Sequence, residues 1–199
     1  MELIVATRNQ DKLKEIKILL KGLPIKVVSL SNFEHVPEVK EDGATLEANA
    51  KKKAVCVSRF LKKLAVADDS GLEVPSLGNR PGVYSARFSG KGATYKTNNE
   101  KLLNLLKGAP LSKRRASFRC AIAIADKGKI VGAAEGRCSG RIGFEPKGRT
   151  GFGYDPLFIP NGYKKTFAQL GIAKKNKISH RSRALVQAKK IIKRYLVPA

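Results

Sequence analysis

The sequence predicts a single α/β domain, and three features carry that prediction. Strand and helix signals alternate through the first third of the 199 residues, a hairpin pattern fills the middle, and an amphipathic helix closes the chain. In order, "ELIVAT" is a short apolar strand. From Asn9 onward Leu13, Ile16 and Leu20 recur at helical spacing, and Gly22-Leu23-Pro24 ends that helix. "IKVVSL" is a second strand. Thr45 is placed to cap a helix with Glu47 in its first turn, running to about Leu61. "LAVAD" is a third strand, and Ser70-Gly71 is expected to break it. "RPGVYSARF" then holds a Pro-Gly turn, and "NNEKLLNLL" a short helix. "ASFRCAIAIADKGKIVGAAEG" reads as two strands joined at Asp126-Lys127-Gly128. The glycine-dense stretch from Gly136 to Gly162 reads as loop and short strand. Ser179 is expected to cap a last helix with Ala184, Leu185, Ala188, Ile192 and Tyr195 facing inward, closed by Pro198. There is no internal repeat, low-complexity linker or heptad pattern, so residues 1–199 form one domain.

Composition excludes several classes. A hydrophobic content of 42% supports a core, and no apolar run approaches the ~20 residues that span a bilayer. "MELIVATRNQ" is a strand and a polar turn, unlike a signal peptide. Cys56, Cys120 and Cys138 are odd in number and lack a C-x-x-C, which points to reduced thiols in a cytoplasmic protein. Forty Lys and Arg against sixteen Asp and Glu leave a formal charge of +24, which favours polyanionic partners of any kind.

Five groups of residues stand out chemically. In "ATRNQDK", Thr7 and Asn9 sit where a strand gives way to a helix, whose free N–H groups and dipole suit a phosphate, and Lys12 follows one turn on. An ordinary capped helix explains the segment as well. On the helix after Thr45, Lys53 falls on the apolar stripe of Leu46, Ala50, Ala54, Val57 and Leu61, where a lysine either snorkels to water or meets an anion. Glu41 and Asp42 precede that helix; Asp68 and Asp69 end the next strand. Alternation along a strand gives these two aspartates opposite faces and different work: one is a candidate metal ligand or base, the other a brace. A plain "DDSG" turn is the competing account. "GRTGFGYDP" offers aromatics in a glycine-rich loop, suited to stacking on a flat ring or to plugging a core. In "KKNKISHRSRAL", His180 and Arg181 sit at a helix start, where cations are disfavoured unless an anion or carbonyl meets them.

Taken together, "TRNQDK", "EDGATLEANAKKKA", "ADDSGLEV", "GVYSARF", "GFGYDPLF", "KTFAQL" and "KNKISHR" resemble, in order, the motifs of the inosine/xanthosine triphosphate pyrophosphatases. The likeness runs from Thr7 to Arg181. It implies an elongated two-lobed α/β fold, a mixed sheet flanked by helices, with a central substrate cleft, and a homodimer. It also implies Mg²⁺-dependent cleavage of ITP, dITP and XTP to monophosphate and pyrophosphate. By that resemblance Thr7, Arg8, Asn9, Gln10, Asp11 and Lys12 surround the phosphates, with Lys53 as a further phosphate ligand. Glu41 and Asp69 hold the metal, Asp69 accepts the proton of the attacking water, and Asp68 supports it. Ser70, Phe152, Gly153, Tyr154, Asp155, Lys175, His180 and Arg181 contact the nucleotide. Arg8 departs from the family pattern, which carries a small or neutral residue there.

The chemistry is coherent on its own terms. A triphosphate carries about four negative charges, which metal and lysines must neutralise before water approaches. A 6-oxo purine presents an acceptor to donors such as His180 and Arg181, whereas the 6-amino group of adenine would face donor against donor. The rivals are a nucleic-acid-binding protein and a pyrophosphatase for modified pyrimidine nucleotides. The basic residues are spread through every segment, which favours only weak, non-specific nucleic-acid association.

Overall fold

The fold was described from a computed structural model covering residues 1–197; Pro198, expected to close the last helix, lies outside the described residues. Strands β1 (Glu2–Val5), β2 (Lys26–Ser29), β3 (Leu64–Val74), β4 (Arg80–Pro81), β5 (Arg115–Asp126), β6 (Lys129–Ile142) and β7 (Phe158–Pro160) form one mixed sheet. Its order is β2-β1-β3-β5-β6-β7, with β4 on β3. β1 is parallel to β2 and β3, whereas β4 and β7 run antiparallel to their neighbours. The helices are α1 (Gln10–Leu20), α2 (Leu46–Leu61), α3 (Tyr95–Leu105), α4 (Phe167–Ile178) and α5 (His180–Leu196).

The chain divides into two compact units. The first comprises residues 1–69, 120–136 and 181 onward; the second, 70–119 and 137–180. In the first, Leu3, Val5, Leu64 and Val66 pack with Leu13 and Ile16 of α1 and Ala184, Leu185, Ala188 and Ile192 of α5. The intervening Ile4, Ala65 and Ala67 are buried too. Strands covered on both faces read as continuous apolar runs, which is why "ELIV" and "LAVA" show no polar alternation. Thr45 accepts a hydrogen bond from Ala48 N–H and caps α2, as its position implied. In the second unit Leu72, Val74, Phe118, Cys138, Ile142 and Phe158 pack with Leu102 of α3, Leu106 just past its end and Phe167 of α4.

Several expectations are corrected here. Ser70-Gly71 does not break the strand: β3 continues for eleven residues to Val74. A side chain at Gly71 would lie 2.4 Å from the Gly82 carbonyl oxygen, so the glycine permits close backbone approach. β6 likewise runs through Gly136 and Gly140, since strand pairing overrides local glycine content. Helix α4 was missed, although Thr166 and Gln169 form a capping box at its start. Helix α3 begins at Tyr95, three residues early, because Thr94 caps it. Pro81-Gly82 leads into a 3-10 segment, Gly82–Arg87, in place of a simple turn. Tyr195 is 41% exposed and donates its hydroxyl to Asp126. All three cysteines are free thiols.

Candidate active site

The first unit gathers seven ionisable side chains around β3. β1 leaves the sheet after Ala6, and Thr7 Oγ1 accepts from Asn9 N–H at 3.2 Å. Asn9 Oδ1 in turn accepts from the N–H groups of Asp11 and Lys12, each at 3.0 Å, capping α1. This cap orders the turn that carries Thr7 to Lys12. Arg8 and Gln10 remain exposed, Arg8 donating to the Val36 carbonyl at 3.1 Å. Lys12 leans back to Asp68 Oδ2 at 3.2 Å.

Asp68 shares its face of β3 with Leu64 and Val66, so it points toward α1 and α5. There Arg181 donates through Nε and Nη2 to Asp68 Oδ2 at 3.2 and 3.1 Å, and through Nη1 to Glu15 Oε2 at 2.5 Å. Burial works against the charge of Asp68, but Lys12 and Arg181, with Lys53 behind them, hold the carboxyl far below the ordinary range.

Asp69 faces the other way, toward α2. Asn49 Nδ2 donates to Asp69 Oδ2 at 3.1 Å, while Asn49 Oδ1 accepts from Gly43 N–H at 2.8 Å. One turn along α2, Lys53 Nζ lies 2.6 Å from Glu41 Oε1, 2.7 Å from the Asp68 carbonyl oxygen and 3.5 Å from Asp69 Oδ1. Burial lifts the Asp69 carboxyl above its ordinary value and Glu41 adds to the effect, outweighing Lys53, Lys12 and Asn49. Lys53 is held protonated by Asp69, Asp68 and Glu41 against its own burial. Two adjacent aspartates thus have protonation pushed in opposite directions, the pattern that separates a structural anion from a proton acceptor.

Four carboxylates (Glu15, Glu41, Asp68, Asp69) face three cations (Lys12, Lys53, Arg181) in this network. The surplus negative charge lies on the Glu41 and Asp69 side, where one ammonium already bridges both carboxylates. That arrangement fits a small hard cation held by two carboxylate oxygens, with its other positions left for water or phosphate. Among the described residues no group of three or more His, Cys, Asp or Glu could form a protein-only metal cage.

The second unit holds the remaining candidates. Ser70 follows Asp69 in β3 and is half-buried. Asp155 is buried and accepts from Phe152 N–H at 2.9 Å and from Lys175 Nζ at 2.5 Å, all on Oδ2. A side chain at Gly151 would strike that carboxylate. Lys175 also lies 4.4 Å from the centre of the half-buried Phe152 ring. Of the two readings of this loop, Tyr154 takes the plug: it is 4% exposed, and its hydroxyl donates to the Ser85 carbonyl at 2.9 Å. The Gly153 carbonyl accepts from Asn99 Nδ2 at 3.0 Å, and the Tyr95 ring lies 6.0 Å from Phe152. His180 stacks on Phe118 at 4.6 Å and 11°.

The sequence reading did not single out Asn49, Glu15, Asn99 or Tyr95. Asn49 carried a signal, as a polar side chain one turn before Lys53 on the same face of α2. Glu15 lies one turn after Lys12 in the same way.

A model of the Ham1 family matches residues 3–191. A dITP/XTP pyrophosphatase of Desulforamulus reducens is 51% identical over 197 residues, covering 99% of this chain and 98% of that one. One of Bacillus subtilis is 44% identical over 191 residues, covering 96% of each. A solved HAM1 protein from Coxiella burnetii superposes with a TM-score of 0.88 at 38% identity, covering 97% of this chain and 98% of that one.

Proposed function

The chain belongs to the Ham1 family, and from that premise we propose that it hydrolyses ITP, dITP and XTP to the nucleoside monophosphate and pyrophosphate, using Mg²⁺. The observation that carries the reading is the divergence of Asp68 and Asp69: one locked among cations, the other raised above its ordinary carboxyl value beside Glu41 and Lys53. The relatives named dITP/XTP pyrophosphatases, at up to 51% identity over nearly the whole chain, support the substrate class.

Glu41 and Asp69 are the residues for the metal, which when bound would neutralise phosphate charge and lower the pKa of a water. The chain's own groups do the rest. The N–H groups at the capped start of α1, with Thr7 and Asn9, receive phosphate oxygens, assisted by Arg8, Gln10, Asp11 and Lys12. Lys53, whose ammonium lies beside Glu41 and Asp69, is the further phosphate ligand. Water attacks the α-phosphorus, its proton passes to Asp69, the bond to the bridging oxygen breaks, and pyrophosphate departs. Asn49 keeps the Asp69 carboxylate turned toward that water. Ser70, Phe152, Gly153, Asp155, Lys175 and His180 contact the nucleotide, with Phe152 as the stacking ring and Tyr154 as its buried support. We assign Arg181 to fixing Asp68 through its salt bridge, in place of the direct base contact expected from sequence. A cytoplasmic homodimer remains the proposed working form.

The test is pyrophosphate release from a panel of nucleoside triphosphates, with and without Mg²⁺. ITP, dITP and XTP should be cleaved and ATP and GTP much more slowly. Release of single phosphate, or equal rates on ATP, would sink the assignment.

A further inference from the structure

Two neighbouring asparagines on α3 are used very differently. Asn98 is fully engaged: its Oδ1 accepts from Ser89 N–H at 2.7 Å, and its Nδ2 donates to the Ser85 and Ala86 carbonyls at 3.4 and 3.1 Å. Asn99 donates from Nδ2 to the Gly153 carbonyl at 3.0 Å, but its Oδ1 is buried with no partner among the described residues. A carbonyl can only accept, which fixes the Asn99 amide with Nδ2 toward Gly153. A buried acceptor without a partner costs the fold about as much as one hydrogen bond returns. Folding stability therefore does not account for Asn99; the peptide it holds does.

That peptide lies in a tight turn. The Phe152 carbonyl accepts from Asp155 N–H at 3.2 Å, and Gly153 sits at a φ of +62°. Both central peptides of the turn thus have their carbonyls engaged, one by Asp155 N–H and the other by Asn99. Their N–H groups, on Gly153 and Tyr154, have no partner among the described residues. A trans peptide sets its N–H and its carbonyl on opposite sides, so Asn99 turns the Tyr154 N–H away from its own amide. Successive backbone N–H groups in a turn form a concave site for an oxygen acceptor. Space adjoins this one: Gly153 is half-buried, and a side chain there would meet nothing within 4 Å. Phe152, the ring assigned to stacking, begins the same turn, and Tyr95, one helical turn before Asn99, lies 6.0 Å from it. All of these residues belong to the second unit.

We propose that Asn99 is a positioning residue for nucleobase recognition, holding the Gly153–Tyr154 peptide so that the N–H edge of the turn meets the 6-oxo oxygen of the purine. This rests on the nucleotide reading above and supplies a donor in place of Arg181, whose three guanidinium nitrogens donate to Asp68 and Glu15. Hypoxanthine and xanthine offer an oxygen at that position. Adenine presents an amino group, and donor would face donor. Released from Asn99, the peptide is free to turn its carbonyl outward and to accept that amino group.

The experiment measures kcat/KM for ITP and for purine riboside triphosphate, which has hydrogen in place of the 6-oxo oxygen. Wild type, Asn99→Leu and Asn99→Asp are compared. The ratio of the two substrates is taken on one preparation, so any loss of folded enzyme cancels. Wild type should favour ITP by about tenfold, the scale of one neutral hydrogen bond. Asn99→Leu keeps nearly the same shape without a donor. It should bring the ratio to within about twofold of unity, through KM for ITP with kcat little changed. Asn99→Asp should lower the ratio at least as far, because a carboxylate repels the Gly153 carbonyl and attracts the Tyr154 N–H in its place. Turnover of ATP relative to ITP should rise in both variants. A wild-type ratio near one, or variants that keep the wild-type ratio whatever their stability, would overturn the inference and leave Asn99 a structural residue. A wild type that releases no pyrophosphate from ITP would instead overturn the nucleotide reading itself.

Discussion

Lys53 sets its ammonium 2.6 Å from the Glu41 carboxylate and 3.5 Å from that of Asp69, so one cation stands between the two side chains assigned to the metal. Lys53 therefore has a partner even without nucleotide. Lys53→Met in chelated protein should leave Glu41 and Asp69 facing each other and cost about 3 kcal/mol, a fall in melting temperature of roughly 6–12 °C for a chain of this size. Millimolar Mg²⁺ should restore much of the loss in the variant and little in the wild type. Thermal melts with and without Mg²⁺ decide it; a variant as stable as wild type in chelator would show that the bridge contributes nothing.

Asp69→Asn should reduce ITP turnover by about 100-fold or more, the usual consequence of losing a general base, with the fold retained. Asn49→Ala should lower kcat by a smaller factor, because it removes the hydrogen bond on Asp69 Oδ2 that orients the carboxylate. Steady-state kinetics with circular dichroism as a folding control measures both. Retention of more than roughly a tenth of wild-type rate in Asp69→Asn would remove it from the proton-transfer role.

Much of this was legible from residues alone, and the failures have physical reasons. Alternation in "VADDSG" correctly separated Asp68 from Asp69, since strand period depends only on the backbone. The same passage misled at Ser70-Gly71, where a nearby turn signal was overridden by pairing with β4 and by the close approach of Gly82. Lys53 was visible as a cation on an apolar stripe, but its partner Glu41 was not, because twelve residues of chain separate them. Arg181 looked like an anion ligand and does meet anions; that they are Asp68 and Glu15, 113 and 166 residues away, no local pattern encodes. Tyr154 was open to either reading, a stacking ring or a plug, because glycines surround it, and only tertiary packing against Ser85 reveals the plug.

Asp68 also gives a pH prediction with a definite sign. Its carboxyl is held below the ordinary carboxylate value in the fold, so its stabilisation is fully present above about pH 4, the value of an unfolded aspartate. That stabilisation is lost as the pH falls from there toward the folded value. Asp68→Asn in chelated protein should thus be destabilised by roughly 3–5 kcal/mol at pH 7, because Arg181 loses a buried carboxylate partner. The gap between variant and wild type should narrow as the pH drops below 4. Urea titrations at pH 7, 5 and 3.5 test this, and a gap that widens toward acid would contradict it.

Asp155 and Lys175 form the corresponding buried pair in the second unit, and their coupling can be measured directly. Both are 2% exposed, and the carboxylate also fixes Phe152 N–H. Asp155→Asn leaves a buried ammonium without its counter-charge, and Lys175→Met the reverse, so each single change should cost about 3 kcal/mol or more. The double variant removes both charges together and should be less destabilised than the two single losses added, by at least about 1 kcal/mol. Activity should separate the pair's two duties. Where stability allows assay at low temperature, Asp155→Asn should raise KM for ITP severalfold through disorder of the Phe152 to Asp155 segment, with kcat little changed, because the reacting groups lie with Asp69. A fall in kcat at constant KM would instead place this pair in the chemical step.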